Sequence, residues 1–214
     1  MIHILDEQPS IIDQYLYELR HKDIQKDRAR FRFNIKRTGI LMATEIAKRL
    51  PYTDVDIETP LGTKTARKLS EYPVLISILR AGQPLLEGFQ EVFVDSECGF
   101  IGAFRVEEGD EKPSVAMRYQ ALPDLTSKTI IIVDPMLATG NSIVSTLKEL
   151  AGLGASHVHI ACVVAAPEGI QHIEEEISIP YTLWIASMDD KLNKQAYIVP
   201  GLGDAGDLSY GIKL

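Results

Sequence analysis

Apolar residues follow two patterns along the chain, and these patterns predict strands and helices in alternation. Runs rich in β-branched residues are each followed by a segment whose apolar residues return at helical spacing. This alternation is typical of a parallel sheet with helices on both faces, so we predict an α/β fold of that kind. The predicted strands lie at 73–82, 99–109, 112–123, 130–133, 157–166 and 181–187, and the predicted helices at 83–93, 142–151 and 167–176.

The two ends of the chain depart from this alternation. Residues 1–50 are predicted as an N-terminal helical segment, with one helix after Pro9 and a second that ends at Pro51. Residues 54–69 are interpreted as either a small hairpin or an excursion from the main body. Residues 189–214 hold four of the fifteen glycines and are interpreted as either a loop-rich hood with a purpose or a ragged end. We find no linker, so residues 1–214 are predicted to form a single domain.

Composition and charge narrow the function classes. The net charge of −8 argues against a general nucleic-acid binder, because a phosphate backbone requires Lys and Arg. Residues 20–37 nevertheless carry a net +6, and the rest of the chain carries −14. Two cysteines cannot form a disulfide framework, and no apolar run has the length of a membrane helix. With four acids among the first twenty residues, no signal peptide is expected, and the predicted location is the cytoplasm.

The segment IIIVDPMLATGNS, residues 130–142, carries the strongest chemical signal. Four apolar β-formers predict a buried strand that ends at Asp134, and the proline after it disfavours a helix at that point. A helix is then predicted to begin among small residues. Ligands of parallel sheets sit at the carboxyl ends of strands, and a helix start offers free N–H groups to a phosphate. We therefore predict that residues 134–142, the phosphate loop, bind a sugar phosphate, with Asp134 on the ribose hydroxyls. The alternative is that Asp134 only caps the helix.

Two better-known phosphate motifs are excluded at this loop. A P-loop ends in Gly-Lys-Ser/Thr, and no lysine occurs between Lys128 and Lys148. A dinucleotide fingerprint requires three spaced glycines, whereas the loop has only Gly140.

VDPMLATGNS resembles the PRPP-binding motif of phosphoribosyltransferases, in the variant with proline after the first acid that is characteristic of uracil phosphoribosyltransferases. Four further segments resemble the same family in the family's order, from about residue 28 to the end of the chain. They are ILRAG (78–82), FRVEE (104–108), VVAAPEG (163–169) and YIVPGLGDAGD (197–207). The last is the most specific, because it separates uracil enzymes from other phosphoribosyltransferases.

The resemblance implies a type I phosphoribosyltransferase fold and a reaction that joins uracil to PRPP, giving UMP and pyrophosphate. It implies Mg²⁺ as cofactor, carried mainly by PRPP, with Asp204 as a candidate protein ligand and no other direct metal ligand assigned. By resemblance, the catalytic residues are Arg80, Arg105, Asp134 and Asp204. The PRPP-binding residues are these four with Pro135, Met136, Leu137, Ala138, Thr139, Gly140, Asn141 and Ser142. The uracil-binding residues are Ile198, Gly203, Asp204 and Ala205.

Individual roles follow from the same resemblance. Arg80, just past a strand, is expected to clamp the pyrophosphate, with Ala81 and Gly82 allowing the backbone to approach the phosphates. Arg105 is expected to make a second PRPP contact from a closing loop. Asn141 stands where many family members have glycine, and the turn is expected to survive because Asn tolerates left-handed backbone. Asp204 has two open roles, contact with PRPP through Mg²⁺ or removal of the proton from the attacking nitrogen.

The C-terminal segment is chemically suited to uracil, whose edge presents two carbonyl oxygens and an N–H. The backbone around Ile198 and the amides of Gly203 and Ala205 match that edge by resemblance. Cytosine's exocyclic amine would find no acceptor there, and sites of this kind reject such analogues by roughly 10⁴-fold or more.

Several alternatives remain at this stage. The same chemistry on a purine or orotate is one, and a non-catalytic, nucleotide-sensing regulator of the same fold is another. The basic segment 20–37 is either a charged helix face or a contact for a GTP effector or a subunit partner. Family members are commonly dimers or higher oligomers, so a homo-oligomer is expected. His157, His159 and Trp184 are interpreted as core or edge residues without metal-ligand spacing.

Overall fold

The computed structural model describes residues 1–106 and 114–213, without the side chains of 103–106 and 114–118. The elements before the phosphate loop are β1 (Ile2–Ile4), α1 (Ile11–Arg20), α2 (Arg28–Ala47), β2 (Tyr52–Thr59), β3 (Gly62–Leu69), β4 (Val74–Leu79), α3 (Gln83–Val92), β5 (Cys98–Val106), β6 (Ser114–Ala121) and β7 (Thr129–Val133). Those that follow are β8 (Met136–Leu137), α4 (Asn141–Leu150), β9 (His157–Ala165), α5 (Pro167–Glu176), β10 (Tyr181–Met188), β11 (Lys191–Leu192), β12 (Ile198–Val199) and α6 (Ala205–Tyr210).

One central sheet organises the described chain, with strand order β1-β10-β9-β7-β4-β5-β6 and the short β8 paired to β9. Every pair in it is parallel except β5–β6, which is antiparallel. The predicted parallel sheet is therefore confirmed, with one antiparallel edge strand that the sequence analysis did not distinguish. That strand follows β5 through a short connection, and only antiparallel strands can be joined without a crossover.

Helices cover both faces of the sheet, as predicted. In the apolar run of β7, Ile131 and Val133 belong to the core on the side of α1, α2 and α3. Ile130 and Ile132 belong to the core on the side of α4 and α5. A continuous apolar run is what a strand buried on both faces requires, because successive side chains point to opposite faces.

The N-terminal segment is not helical throughout. Its first residues form β1, which pairs with β10 at the sheet edge and was not predicted. The predicted helices follow, and each begins at a side-chain cap. Ser10 and Asp13 form a capping box at α1, and the carboxylate of Asp27 accepts from Arg30 N at α2.

Two smaller β units lie outside the main sheet. The hairpin interpretation is confirmed: strands β2 and β3 form an antiparallel hairpin, which pairs only with itself among the described strands. The hood contains the two-residue strands β11 and β12, paired with each other, and helix α6. Among the described helices, none combines the length and the apolar character needed to cross a membrane.

Candidate active site

The direction in which the chain crosses the sheet changes between β4 and β7, and a cavity lies at this point. From β4 the chain passes through α3 to β5 on one side, whereas from β7 it passes through α4 to β9 on the other. Such a topological switch opens a crevice beyond the carboxyl ends of the two strands. A cavity of about 410 Å³ occupies this crevice and is lined by residues after β4, by the phosphate loop and by the hood.

Arg80 directly follows β4 and lines the crevice. Its Nη2 lies 3.1 Å from Asp207 Oδ1 in the hood, and the side chain is 43% exposed. The guanidinium is therefore placed for a phosphate but is currently engaged by a carboxylate. Gly82 does not line the crevice: a Cβ there would lie 2.7 Å from the carbonyl oxygen of Val133, so this glycine serves close packing of backbone and not the expected approach to phosphate.

Asp134 directly follows β7 and its side chain lines the same crevice while being 9% exposed. Burial raises the pKa of this carboxyl to about 7, although a hydrogen bond from the Met136 N–H acts in the opposite direction. That N–H lies 3.4 Å from Oδ1, and it belongs to β8, not to a helix. Helix α4 begins after Gly140 without a side-chain cap, so the helix-capping alternative for Asp134 is wrong.

The phosphate loop turns into α4 through a left-handed residue. Gly140 has φ +80°, which a side chain would strain, whereas Asn141 is already the first helical residue. The argument that Asn141 needs to tolerate left-handed backbone is therefore wrong, because its neighbour adopts that conformation. Asn141, Ser142 and Ile143 of the first turn of this ten-residue helix line the crevice, and the Asn141 N–H donates to Thr139 Oγ1 at 3.4 Å.

Helix α5 supports the phosphate loop from below. A Cβ on Gly169 would lie 2.3 Å from the carbonyl oxygen of Ala138, and one on Gly140 would lie 2.8 Å from that of Gly169. One turn further along, His172 Nδ1 lies 2.8 Å from the carbonyl oxygen of Thr139 and donates to it. The loop and α5 are thus in direct backbone contact.

The hood forms the opposite wall of the crevice. Asp204 caps the six-residue helix α6, with its Oδ1 accepting from Asp207 N at 2.9 Å. Gly203 has φ +93° and is exposed, whereas Ala205 is buried, and all three residues line the crevice. The cap uses only one carboxylate oxygen of Asp204.

Two arginines of the basic segment hold the hood in place, a role that the sequence analysis missed. Arg20 donates to Asp189 Oδ2 at 2.9 Å and to the carbonyl oxygen of Gly201 at 3.0 Å. Arg32 donates to the carbonyl oxygen of Ser209 at 2.6 Å. The only sequence signal was the excess positive charge, which does not identify partners about 170 residues away.

The crevice gathers most but not all of the residues predicted for it. Pro135 does not line it: its carbonyl oxygen accepts from Val163 N and Val164 N within the sheet. Ile198 is buried in β12 and also does not line it. The side chain of Arg105 lies outside the described residues. Ala81, expected beside the phosphates, lines the crevice, and the lining residues not predicted are Ile78, Leu79, Ile143, Ala196, Tyr197, Gly206 and Lys213.

The oxygen donors at the crevice fit Mg²⁺ bound together with a phosphorylated substrate. Mg²⁺ keeps several waters and takes one or two carboxylates with substrate phosphates, not an all-protein cage. Asp134 and Asp204 both line the crevice, and the second keeps one carboxylate oxygen outside its helix cap. Within the described ranges, no group of three or more His, Cys, Asp and Glu side chains is arranged to hold a metal by itself.

Comparisons with known proteins agree with this geometry. The sequence profile of the uracil phosphoribosyltransferase family matches residues 7–212. A uracil phosphoribosyltransferase from Porphyromonas gingivalis is 40% identical over 215 residues, covering 100% of this chain and 99% of the relative. One from Streptomyces coelicolor is 39% identical over 212 residues and covers 98% of both chains.

Solved structures share the architecture. The AQ2163 protein from Aquifex aeolicus superposes with a TM-score of 0.88 at 31% identity, over 100% of both chains. A hypoxanthine-guanine phosphoribosyltransferase from Bacillus anthracis superposes with a TM-score of 0.50 at 12% identity, over 74% of this chain and 79% of that one. The second similarity concerns the fold alone.

The mostly parallel sheet with an acid-led loop at its switch point agrees with the type I phosphoribosyltransferase fold, and the family match shows that the chain is a phosphoribosyltransferase. Within that class, the chain belongs to the uracil phosphoribosyltransferase family. The family's reaction joins uracil to PRPP in pyrimidine salvage, so the family, the fold and the enzyme class predicted from the sequence are confirmed.

Proposed function

We propose that this crevice transfers the 5-phosphoribosyl group of PRPP to uracil, giving UMP and pyrophosphate. One observation carries the proposal: a single cavity of about 410 Å³ is lined on one side by the phosphate loop and on the other by the hood. A sugar phosphate on the first wall and a base on the second would meet at the anomeric carbon. There the C1–O bond to pyrophosphate breaks, the C1–N1 bond to uracil forms, and the N1 proton leaves.

PRPP is proposed to place its 5-phosphate on the phosphate loop. The first-turn N–H groups of α4 and the hydroxyls of Thr139 and Ser142 are the donors. The ribose hydroxyls bind Asp134, whose buried carboxyl has a pKa of about 7 and is therefore partly protonated near neutral pH. Ribose hydroxyls and Mg²⁺ both favour its ionised form, because each interacts better with a carboxylate.

Pyrophosphate is proposed to bind at the mouth of the crevice, beside Arg80 and Lys213. Arg105 is assigned there by resemblance alone. Because Arg80 already contacts Asp207 at 3.1 Å, a phosphate has to replace that carboxylate as its partner. The exchange costs little on an exposed pair and yields a forked, charge-assisted contact to the leaving group.

Uracil is proposed to bind against the hood backbone. The exposed amide of Gly203 and that of Ala205 would donate to the carbonyl oxygens, and a carbonyl near Ile198 would accept from the ring N–H. The left-handed φ of Gly203 at +93° makes this backbone shape specific to glycine. The remaining oxygen of Asp204 is assigned to PRPP and its Mg²⁺, since the cap fixes the carboxylate at the crevice.

The proposal includes the state of the molecule. Residues 1–214 form one domain, because β1 and the hood both join the same body as the central sheet. A homo-oligomer is supported by the protruding β2–β3 hairpin, whose Leu61 is fully exposed.

A GTP effector at the basic segment is supported by Lys22 and Arg28, which form no ion pair among the described residues. The proposed location is the cytoplasm, which the two free cysteines favour.

Incubation of the chain with PRPP, Mg²⁺ and labelled uracil tests the main proposal, with labelled UMP as the expected product. Unlabelled cytosine, hypoxanthine and orotate compete as matched controls, and none is expected to reduce UMP formation at equal concentration. Preferential use of another base would overturn the uracil assignment. Retention of RNA at low salt without any UMP formation would favour the regulator instead.

The hood assignment has its own test. Insertion of one residue between Gly203 and Asp204 is expected to abolish uracil use while PRPP still binds, because the insertion changes the spacing between the amides of Gly203 and Ala205. A one-residue insertion after Gly152, a glycine with no neighbouring atom within 4 Å, is the control. Unchanged uracil kinetics in the hood variant would refute the assignment.

A further inference from the structure

A second cavity of about 410 Å³ lies at the opposite end of the sheet, under the C-terminal end of α2. We call it the histidine cavity. It is lined by Met1, His3, Arg49, Leu50, Pro51, Thr129, His157, His159, Thr182 and Trp184. The three histidines come from β1 and β9, which flank β10 with its tryptophan. None of these residues lines the crevice at the switch point.

The side chain of His159 has an unused donor in this cavity. Indole is a donor only, so Trp184 Nε1 donates to His159 Nδ1 at 3.2 Å, which requires Nδ1 to be without a proton. Burial first, then His157 and His3, lower the pKa of His159 to about 4, so the neutral ring carries its proton on Nε2. This residue is 5% exposed, and its Nε2 has no hydrogen-bond partner in the described part of the chain.

The other groups around this donor are cationic or neutral. Arg49 lines the cavity and makes no ion pair within the described ranges, whereas the adjacent Lys48 is paired with Glu45 at 2.7 Å. Burial and then Arg49 lower the pKa of His3. The described lining contains no carboxylate. An imidazole N–H without a partner and a guanidinium outside any ion pair among the described residues, both at one cavity, are donors suited to an anion.

We propose that the histidine cavity binds a small phosphate-bearing molecule, with its oxygens on Arg49 and on Nε2 of His159. The volume exceeds that of a single phosphate ion and suits a phosphate ester of the size of a sugar phosphate. The stacked rings of His3 and Trp184, with centroids 4.2 Å apart, form an apolar wall for the organic part. This site is separate from the proposed PRPP site and does not depend on it.

Trp184 makes the proposal directly measurable, because it is the only tryptophan in the chain and belongs to this cavity. Its fluorescence is titrated with inorganic phosphate and with ribose 5-phosphate at constant ionic strength. A saturable change is expected with both if the site reads the phosphate group alone. Tighter binding of ribose 5-phosphate supports an ester as the occupant. Absence of any saturable change overturns the proposal.

Matched variants of α2 provide the control. Arg49→Gln is expected to weaken phosphate binding at least about tenfold, because a charge-assisted hydrogen bond is lost. Lys48→Gln removes a neighbouring charge that is already paired and is expected to leave the affinity unchanged. Equal affinity in Arg49→Gln and the wild-type chain refutes the site. Nitrogen-15 NMR gives a second readout: phosphate should shift His159 Nε2 in the wild-type chain and not in Arg49→Gln.

Discussion

The Nδ1 atom of His172 lies 2.8 Å from the carbonyl oxygen of Thr139, and this hydrogen bond joins α5 to the phosphate loop. A carbonyl can only accept, so the imidazole must carry its proton on Nδ1. In the same helix, the carboxylate of Glu168 accepts from Leu192 N at 2.9 Å in the hood. Helix α5 therefore contacts both walls of the crevice: His172 contacts the phosphate loop and Glu168 contacts the hood.

Replacement of His172 by alanine should raise KM for PRPP about fivefold, because a hydrogen bond of about 1 kcal/mol to the loop is lost. KM for uracil should change little, since the hood contact of Glu168 is retained. Steady-state kinetics with each substrate varied in turn measures the two KM values separately.

His172→Asn should recover most of the PRPP affinity, because its amide can donate from nearly the position of Nδ1. Gln171→Ala is the control, as this side chain contacts only the exposed Glu175 among the described residues. An equal rise in both KM values would show that His172 acts on stability and does not position the loop.

Gly169→Ala should destabilise the chain by about 1–3 kcal/mol and raise KM for PRPP, because its Cβ would meet the Ala138 carbonyl at 2.3 Å. Thermal denaturation and PRPP kinetics measure the two effects. Gly152→Ala is the matched control, with no atom within 4 Å of the added carbon. If both variants behave alike, the close approach of α5 to the loop has no energetic consequence.

Asp134→Asn should lower kcat/KM for PRPP by roughly 10²-fold, because an amide binds ribose hydroxyls without charge. The same substitution should raise the stability of the folded chain near neutral pH. The folded-state pKa of about 7 lies above the ordinary 3.8, so between these values the folded chain holds a proton that the unfolded chain has released. Wild-type stability therefore falls as pH rises through this window, by up to about 4 kcal/mol.

The asparagine variant lacks this titration, so its melting temperature should exceed that of the wild type above pH 7 and approach it near pH 4. Calorimetry across this range tests the sign. A variant less stable than wild type at every pH would show that the carboxylate contributes to the fold, as a helix cap would.

Arg20→Gln should cost about 2–3 kcal/mol and raise KM for uracil, because Asp189, whose side chain is 4% exposed, keeps only the Gly201 N–H as a partner and the Gly201 carbonyl loses a donor. Denaturant unfolding and uracil kinetics measure the two effects. Lys26→Gln, which removes an exposed pair with Asp23, should change neither. Asp189→Asn in the Arg20→Gln background should recover part of the lost stability, and additive losses would contradict the proposed network.

The fold and the phosphate loop were predictable because their signals are local. The isoleucines of β7 and the change to helical spacing after Gly140 lie within one short segment, so periodicity was sufficient to assign them. Strand β1 was missed because three residues carry no periodicity of their own, and pairing with β10 determines their conformation. The antiparallel direction of β6 is likewise a property of its pairing with β5.

The hood shows most clearly which contacts of single residues could not be predicted from the sequence. Its motif was sufficient to predict a base site, but the contacts that hold the hood come from Arg20 and Arg32, which are distant in sequence. A basic segment has the same composition whether it binds a nucleotide or a carbonyl oxygen of its own chain. Similarly, the role of Gly82 depends on tertiary packing, because a Cβ there would meet Ser77 and Ile78 of β4 and also the carbonyl oxygen of Val133 on the neighbouring strand.

The backbone contact between Gly169 and Ala138 leaves no slack between α5 and the loop, so the two must move as one rigid body. Arg20 and Arg32 restrict the facing wall in the same way. Much of the ordering cost of this pocket is consequently met when the chain folds, not when a ligand arrives. Substrate capture should thus proceed with little loss of backbone entropy, and amide exchange in the first turn of α5 should already be slow in the free enzyme.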